Sequence, residues 1–189
     1  MIVGVLAIQG DFEAHAALLA GFGAEPREVR TPADLEGIDG LILPGGESTT
    51  MTLGIEREGL AEPLRDLVES GTPTLATCAG LIILDRNHLD VLDLTTRRNA
   101  FGRQVRSFET NLELSGLDGG PLRAVFIRAP WVEECGPGVE VLAEVDGHPV
   151  AVRGGNVLAV AFHPELTEDG RFHRWLLDAV AMRAEKAPA

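Results

Sequence analysis

An α/β fold, in which a mixed and mostly parallel sheet carries helices on both faces, is what this sequence predicts, on three observations. Residues 2–8 are almost wholly apolar and rich in Val and Ile, the composition of a parallel strand covered on both sides. Through the first half, similar short apolar runs alternate with segments whose apolar residues recur at helical spacing. In the second half the apolar runs crowd together between turns, and one long amphipathic segment closes the chain.

The elements follow in order. Residues 12–22 place Ala14, Leu18, Leu19 and Phe22 at helical spacing, with Gly21 and Gly23 to stop the helix. Residues 28–30 predict a short strand. Thr31-Pro32 opens a helical turn as far as Leu35, because threonine caps and the fixed φ of proline suits the first helical position. Leu41-Ile42-Leu43 predicts a buried strand, and Pro44-Gly45-Gly46-Glu47-Ser48 a glycine turn leading into a helix capped by Ser48. Leu60, Leu64, Leu67 and Val68 give the next helix one apolar face, ended by Gly71. Leu75 and its neighbours form another buried strand, and an apolar helix begins at Ala79-Gly80. Residues 85–93 are polar and predict a loop. Strands are then expected at 124–127, 139–145, 150–152 and 157–162, with Asp146-Gly147-His148 as a hairpin turn. Residues 172–184 form a last helix with Phe172, Trp175, Leu176, Ala179 and Val180 on one face, which leaves His173 off the stripe and exposed. Without repeats, a long linker or a second core, residues 1–184 predict a single domain and residues 185–189 a frayed tail.

Composition narrows the function. The chain has 189 residues, a net charge of −13, no tyrosine and 5% aromatic residues, which argues against phosphate backbones and stacked bases as ligands. Its two cysteines, Cys78 and Cys135, supply neither a CxxC pair nor a zinc pattern, as expected in a reducing compartment. The N-terminus lacks the features of a signal peptide, and no run approaches the ~20 apolar residues of a spanning helix. A soluble, cytoplasmic protein without a membrane partner is the expectation.

Cys78 falls where the strand around Leu75 meets the helix opening at Ala79, the setting of a nucleophile elbow. Backbone N–H groups at the helix start favour negative charge beside the sulfur. A lone cysteine is more often a buried structural residue, so its value rests on partners. Of the five histidines, His148 lies in a turn and His88 in a polar loop, while His15, in the first helix near a strand end, suits either core or site. His163 directly follows an apolar strand, and Pro164 restricts it to an extended backbone. In an extended segment residues two apart point the same way, which pairs His163 with Glu165. A cysteine, a glycine turn at a strand's carboxyl end and a His-Pro-Glu run can converge on one sheet edge, the arrangement of nucleophilic acyl transfer. Residues 97–104 form the one notable basic cluster, able to hold a carboxylate if near a cleft.

At these positions the chain resembles the class I, triad-type glutamine amidotransferases of flavodoxin-like fold. The stretches Pro44-Gly45-Gly46-Glu47-Ser48-Thr49, Thr77-Cys78-Ala79-Gly80, Arg98-Asn99-Ala100-Phe101-Gly102, Phe126-Ile127-Arg128-Ala129-Pro130 and Phe162-His163-Pro164-Glu165-Leu166-Thr167 are similar, in particular, to the glutaminase subunits of pyridoxal 5′-phosphate synthase. The resemblance implies Cys78 as nucleophile with His163 and Glu165 completing the triad. It implies Gly46, Glu47, Ser48, Arg98, Ile127 and Arg128 as glutamine-binding positions, and the N–H groups of Gly46 and Ala79 as an oxyanion site. It also implies L-glutamine as substrate, no cofactor, and a barrel-shaped synthase subunit as partner. Three positions depart from the family pattern: Ala76 in place of a glycine, Gly154 in place of a glutamine, and a shortened segment between Leu84 and Arg97. Another class I glutaminase and a non-catalytic or redox-sensing thiol protein are the alternatives.

Overall fold

The computed structural model describes residues 1–101 and 107–186, so Gly102, Arg103 and Gln104 of the basic cluster and residues 187–189 of the expected tail lie outside the described residues. In chain order the elements are β1 (Ile2–Leu6), α1 (Phe12–Gly21), β2 (Glu25–Val29), a 3₁₀ turn (Pro32–Leu35), β3 (Gly40–Leu43), α2 (Ser48–Arg57), α3 (Ala61–Glu69), β4 (Thr74–Thr77) and α4 (Ala79–Ile83). There follow β5 (Leu94–Arg97), β6 (Ser107–Leu112), β7 (Leu122–Ile127), β8 (Trp131–Cys135), β9 (Glu140–Val145), β10 (His148–Gly154), β11 (Val157–Val160), a 3₁₀ turn (Pro164–Leu166) and α5 (Arg171–Lys186).

Seven strands make one sheet in the order β2-β1-β3-β4-β11-β10-β9. The first five are parallel, and β10 runs antiparallel to both of its neighbours. This is the mixed, mostly parallel sheet the apolar runs predict. Both faces are covered, as the alternation along β3 demonstrates. A Cβ on Gly40 would sit 2.8 Å from Val180 of α5, whereas the side chain of Leu43, three residues along, meets Gly80 of α4. Strand side chains alternate between faces, so α5 and α4 lie on opposite sides of the sheet. β3, β4 and β11 are fully buried between these layers. Phe126, Phe162 and Phe172, each wholly buried, run edge to face with ring centres 5.5 Å apart and join β7 and α5 to the end of β11.

The structure departs from expectation in several places. Two small sheets, β5 with β8 and β6 with β7, contain three strands that the sequence pattern did not reveal. β2 spans residues 25–29 rather than 28–30, because it pairs with β1 from Ile2 onward. The cap of α2 is Glu47, whose carboxylate accepts the Thr49 and Thr50 N–H groups, and Ser48 is the first helical residue. His173 is fully buried instead of exposed. It lies three residues before Leu176 and seven before Val180, both buried, so its spacing belongs to the inward stripe although its chemistry does not. α5 continues to Lys186, two residues beyond the predicted end.

Truncating the shared ring of the aromatic run, Phe162→Ala, is expected to lower stability by ~3–5 kcal/mol through the cavity it leaves. Urea unfolding checks this, and a loss below ~1 kcal/mol contradicts the placement of that ring.

Candidate active site

β4 ends at Thr77, and the next residue is Cys78, with φ 47° and ψ −103°. A left-handed backbone at a residue with a side chain is strained, and here it turns the chain from strand to helix within one residue. The Cys78 N–H donates to Val160 O at 2.8 Å, which locks the end of β4 to the end of β11. Three residues past Val160 comes His163, whose own N–H donates to Val125 O of β7 at 2.9 Å. Cysteine and histidine are therefore carried by paired strands.

Gly45 marks the gap between them. A Cβ there would lie 2.9 Å from His163 Nδ1 and 3.3 Å from Cys78 Cβ, so only a glycine fits. Gly45 O accepts the Asp11 N–H at 3.2 Å. In a trans peptide this turns the Gly46 N–H the opposite way. Among the described residues, neither the Gly46 nor the Ala79 N–H is spent on an acceptor.

His163 Nδ1 lies 2.7 Å from Glu165 Oε1, and the Glu165 side chain is completely shielded from solvent. The contact forms by a route other than the one expected: Pro164, Glu165 and Leu166 make a one-turn 3₁₀ helix rather than an extended segment. Burial by itself would lower the His163 pKa, but interactions with the Cys78 sulfur and the Glu165 carboxylate outweigh it and raise the pKa to about 10. Asp11 Oδ2 sits 3.4 Å from the same ring nitrogen, from the exposed side.

These groups open on a cavity of about 350 Å³. Gly46, Glu47, Ser48, Cys78, Ala79, Arg98, Ile127, Arg128 and His163 all line it, and Glu165 lies behind His163. Arg98 donates to Glu47 Oε1 at 2.9 Å and to Thr49 Oγ1 at 3.0 Å, an exposed pair at the mouth. The Glu47 carboxyl is held down to about 2, first by the Thr50 N–H and hydroxyl and then by the Thr49 N–H. Ile127 closes one wall, its carbonyl 4.0 Å from the Cys78 sulfur. Arg128, with φ 46°, is exposed and makes no ion pair among the described residues.

The model of the SNO glutamine amidotransferase family matches residues 5–182. The chain belongs to that family. A protein of Nocardia farcinica named pyridoxal 5′-phosphate synthase subunit PdxT is 52% identical over 98% of this chain and 88% of its own length. A protein of the same name from Frankia alni is 53% identical over 94% of each. A crystal structure described as a glutamine amidotransferase superposes with a TM-score of 0.88 at 48% identity, covering 96% of this chain and all of the other.

Gln9 and Asp11 escaped the sequence reading as contributors to this site. Gln9 Oε1 accepts the Glu47 N–H at 2.6 Å and so holds the glycine turn from below. Asp11 fixes the Gly45 peptide. Behind Glu165 lie Thr77 and His15, the histidine the sequence left open between core and site, both fully buried. Only the Gln9-Gly10-Asp11 break at the end of β1 signalled Gln9 and Asp11, since a strand's carboxyl end is where such sheets bind ligands. Among the described residues no helix is long and apolar enough to cross a membrane.

A pKa raised by folding means that protonating His163 favours the folded chain. This contribution is complete below about 6.5, declines above it, and is lost as pH passes about 10. Ring proton shifts of His163 are expected to titrate near 10, and lower in Glu165→Gln, with the urea midpoint of the unmodified chain falling in parallel. A His163 midpoint near 6.5 in the unmodified chain contradicts the pairing.

Proposed function

We propose that the chain hydrolyses L-glutamine to glutamate and ammonia through a Cys78 thioester, and that it passes the ammonia to the barrel-shaped synthase subunit that makes pyridoxal 5′-phosphate in the cytoplasm. One observation carries this reading: sulfur and imidazole line a single cavity with the buried carboxylate behind the ring, in a chain of an amidotransferase family.

The Cys78 sulfur attacks the side-chain amide carbon of glutamine, and the carbonyl oxygen becomes an oxyanion. The N–H groups of Gly46 and Ala79 are placed to hold it, a role worth ~3 kcal/mol per donor. His163, protonated, gives its proton to the departing nitrogen, and ammonia leaves. Water then loses a proton to the same imidazole and attacks the thioester, which releases glutamate and restores the sulfur. Glu165 keeps Nδ1 protonated and the ring aligned throughout. Glu47, Ser48 and Ile127 shape the glutamine pocket. Arg98 is already joined to Glu47, so the exposed Arg128 is the better placed cation for the substrate carboxylate. No step calls for a metal or an organic cofactor.

Ammonia reacts as a nucleophile only while unprotonated, and bulk water at neutral pH converts most of it to ammonium. A partner docked over the cavity mouth keeps it reactive. The word subunit in the relatives' names supports such an assembly.

Glutamate release is expected when the chain is mixed with the synthase subunit, and Cys78→Ala and His163→Ala are each expected to reduce it at least ~1,000-fold without unfolding the protein. A glutamine-like electrophile should label Cys78 and spare the exposed Cys135. Activity retained in either variant, or label on Cys135 alone, rejects the mechanism.

A further inference from the structure

Behind the triad the chain of side chains continues. Glu165 gives one oxygen to His163, and its other oxygen, Oε2, is buried with no aligned hydrogen-bond partner. His15 Nε2 lies 3.3 Å from it and also 3.2 Å from Thr77 Oγ1. On its far side His15 Nδ1 is 2.9 Å from His173 Nε2, and the outer nitrogen of His173, Nδ1, is buried and unpartnered. Both histidines are fully buried, and they join α1 to α5 under the sheet edge that carries the site.

Two proton arrangements fit two neutral rings. In the first, His173 donates from Nε2 to His15 Nδ1, and His15 donates from Nε2 into the fork between Thr77 Oγ1 and Glu165 Oε2. The one atom left over is a bare ring lone pair at His173 Nδ1. In the second, His15 donates from Nδ1 to His173 and accepts from Thr77. Glu165 Oε2 then has no donor at all, and His173 Nδ1 carries a buried N–H with no acceptor. Orphaned buried N–H groups are rare and an unsupported buried carboxylate oxygen is costly, so the count favours the first. Burial pushes both imidazoles below their ordinary pKa, well below for His15 and to about 4 for His173, which keeps them neutral.

We propose that His15 is a positioning residue for glutamine hydrolysis: its Nε2–H, set by the His173 Nε2–H behind it, steadies the second oxygen of Glu165 and thereby aims the first at His163. The inference rests on the glutaminase reading for its kinetic consequence, but the direction of the protons does not.

The test uses the full chain with the synthase subunit for kinetics and the full chain alone for ring ¹⁵N spectra. Both His15 and His173 are expected to show a protonated Nε2 and a bare Nδ1. His15→Leu is expected to lower kcat about tenfold with KM for glutamine unchanged, and His15→Gln, whose amide nitrogen reaches the Nε2 position, to recover most of that loss. A protonated Nδ1 at His15 overturns the proposal, as does equal kcat in the two variants. If the unmodified chain releases no glutamate, the glutaminase reading fails and the nitrogen spectra alone decide this one. They decide it equally if His15→Leu does not fold.

Discussion

The 2.7 Å contact between His163 and Glu165 is the constraint round which this structure is arranged. A carboxylate whose side chain is wholly shielded cannot remain there unpaired, and the almost buried imidazole holds its proton against the cost of burial because the Cys78 sulfur and this carboxylate lie beside it. Breaking a buried pair by removing one member leaves a charge uncompensated, commonly at ~3–5 kcal/mol. The fold holds both in register by backbone bonds: Cys78 to Val160, and His163 to Val125. Cys78 and His163 therefore ride on adjacent strands of a packed sheet, with little room for either to drift. The strain of Cys78 at φ 47° is sustained by the same ladder bond.

Charge at the mouth follows from a second set of pairings. Glu47 serves three ends at once: its carboxylate caps α2, binds Arg98, and its N–H is held by Gln9. A capping carboxylate stabilised by helix N–H groups stays ionised, so the Arg98 charge is largely answered within the protein. Arg128 is left as the cation facing the cavity without a protein counter-ion among the described residues. On a chain with net charge −13, one such cation at the entrance gives an anionic end of a substrate a defined direction.

The centre of the sheet was legible because β1, β3, β4 and β11 are covered on both faces, so burial writes itself as short, mostly apolar runs. β5 and β6 were illegible for the opposite reason. Thr95, Thr96 and Arg97 stay partly exposed in a two-stranded ribbon, and in β6 the polar residues of Ser107-Phe108-Glu109-Thr110-Asn111 hide a period of two. That Cys78, His163 and Glu165 come together could be read because proline, glycine and cysteine mark sharp local geometry. What lay beyond reading was tertiary contact between polar side chains. His15 and His173 are 158 residues apart, and nothing in either neighbourhood shows that they meet. Ser48 misled because its hydroxyl suits a cap, whereas the glutamate before it reaches the same N–H groups with a full charge.

Gly154 and the segment between Leu84 and Arg97 meet in space. A Cβ on Gly154 would come within 2.7 Å of a Leu92 methyl, and Leu92, itself buried, belongs to that segment. That segment folds back on α4 through Leu89, Val91 and Leu92 N–H groups donating to Ile83 and Leu84 carbonyls. The loop carries Leu92 onto β10, and a side chain at residue 154 would have to displace it. Loop and glycine are thus parts of one packing solution. The loop is bonded to the end of α4, the helix that follows Cys78, while Ala76 on the strand before Cys78 is held in register between Leu43 and Ala159.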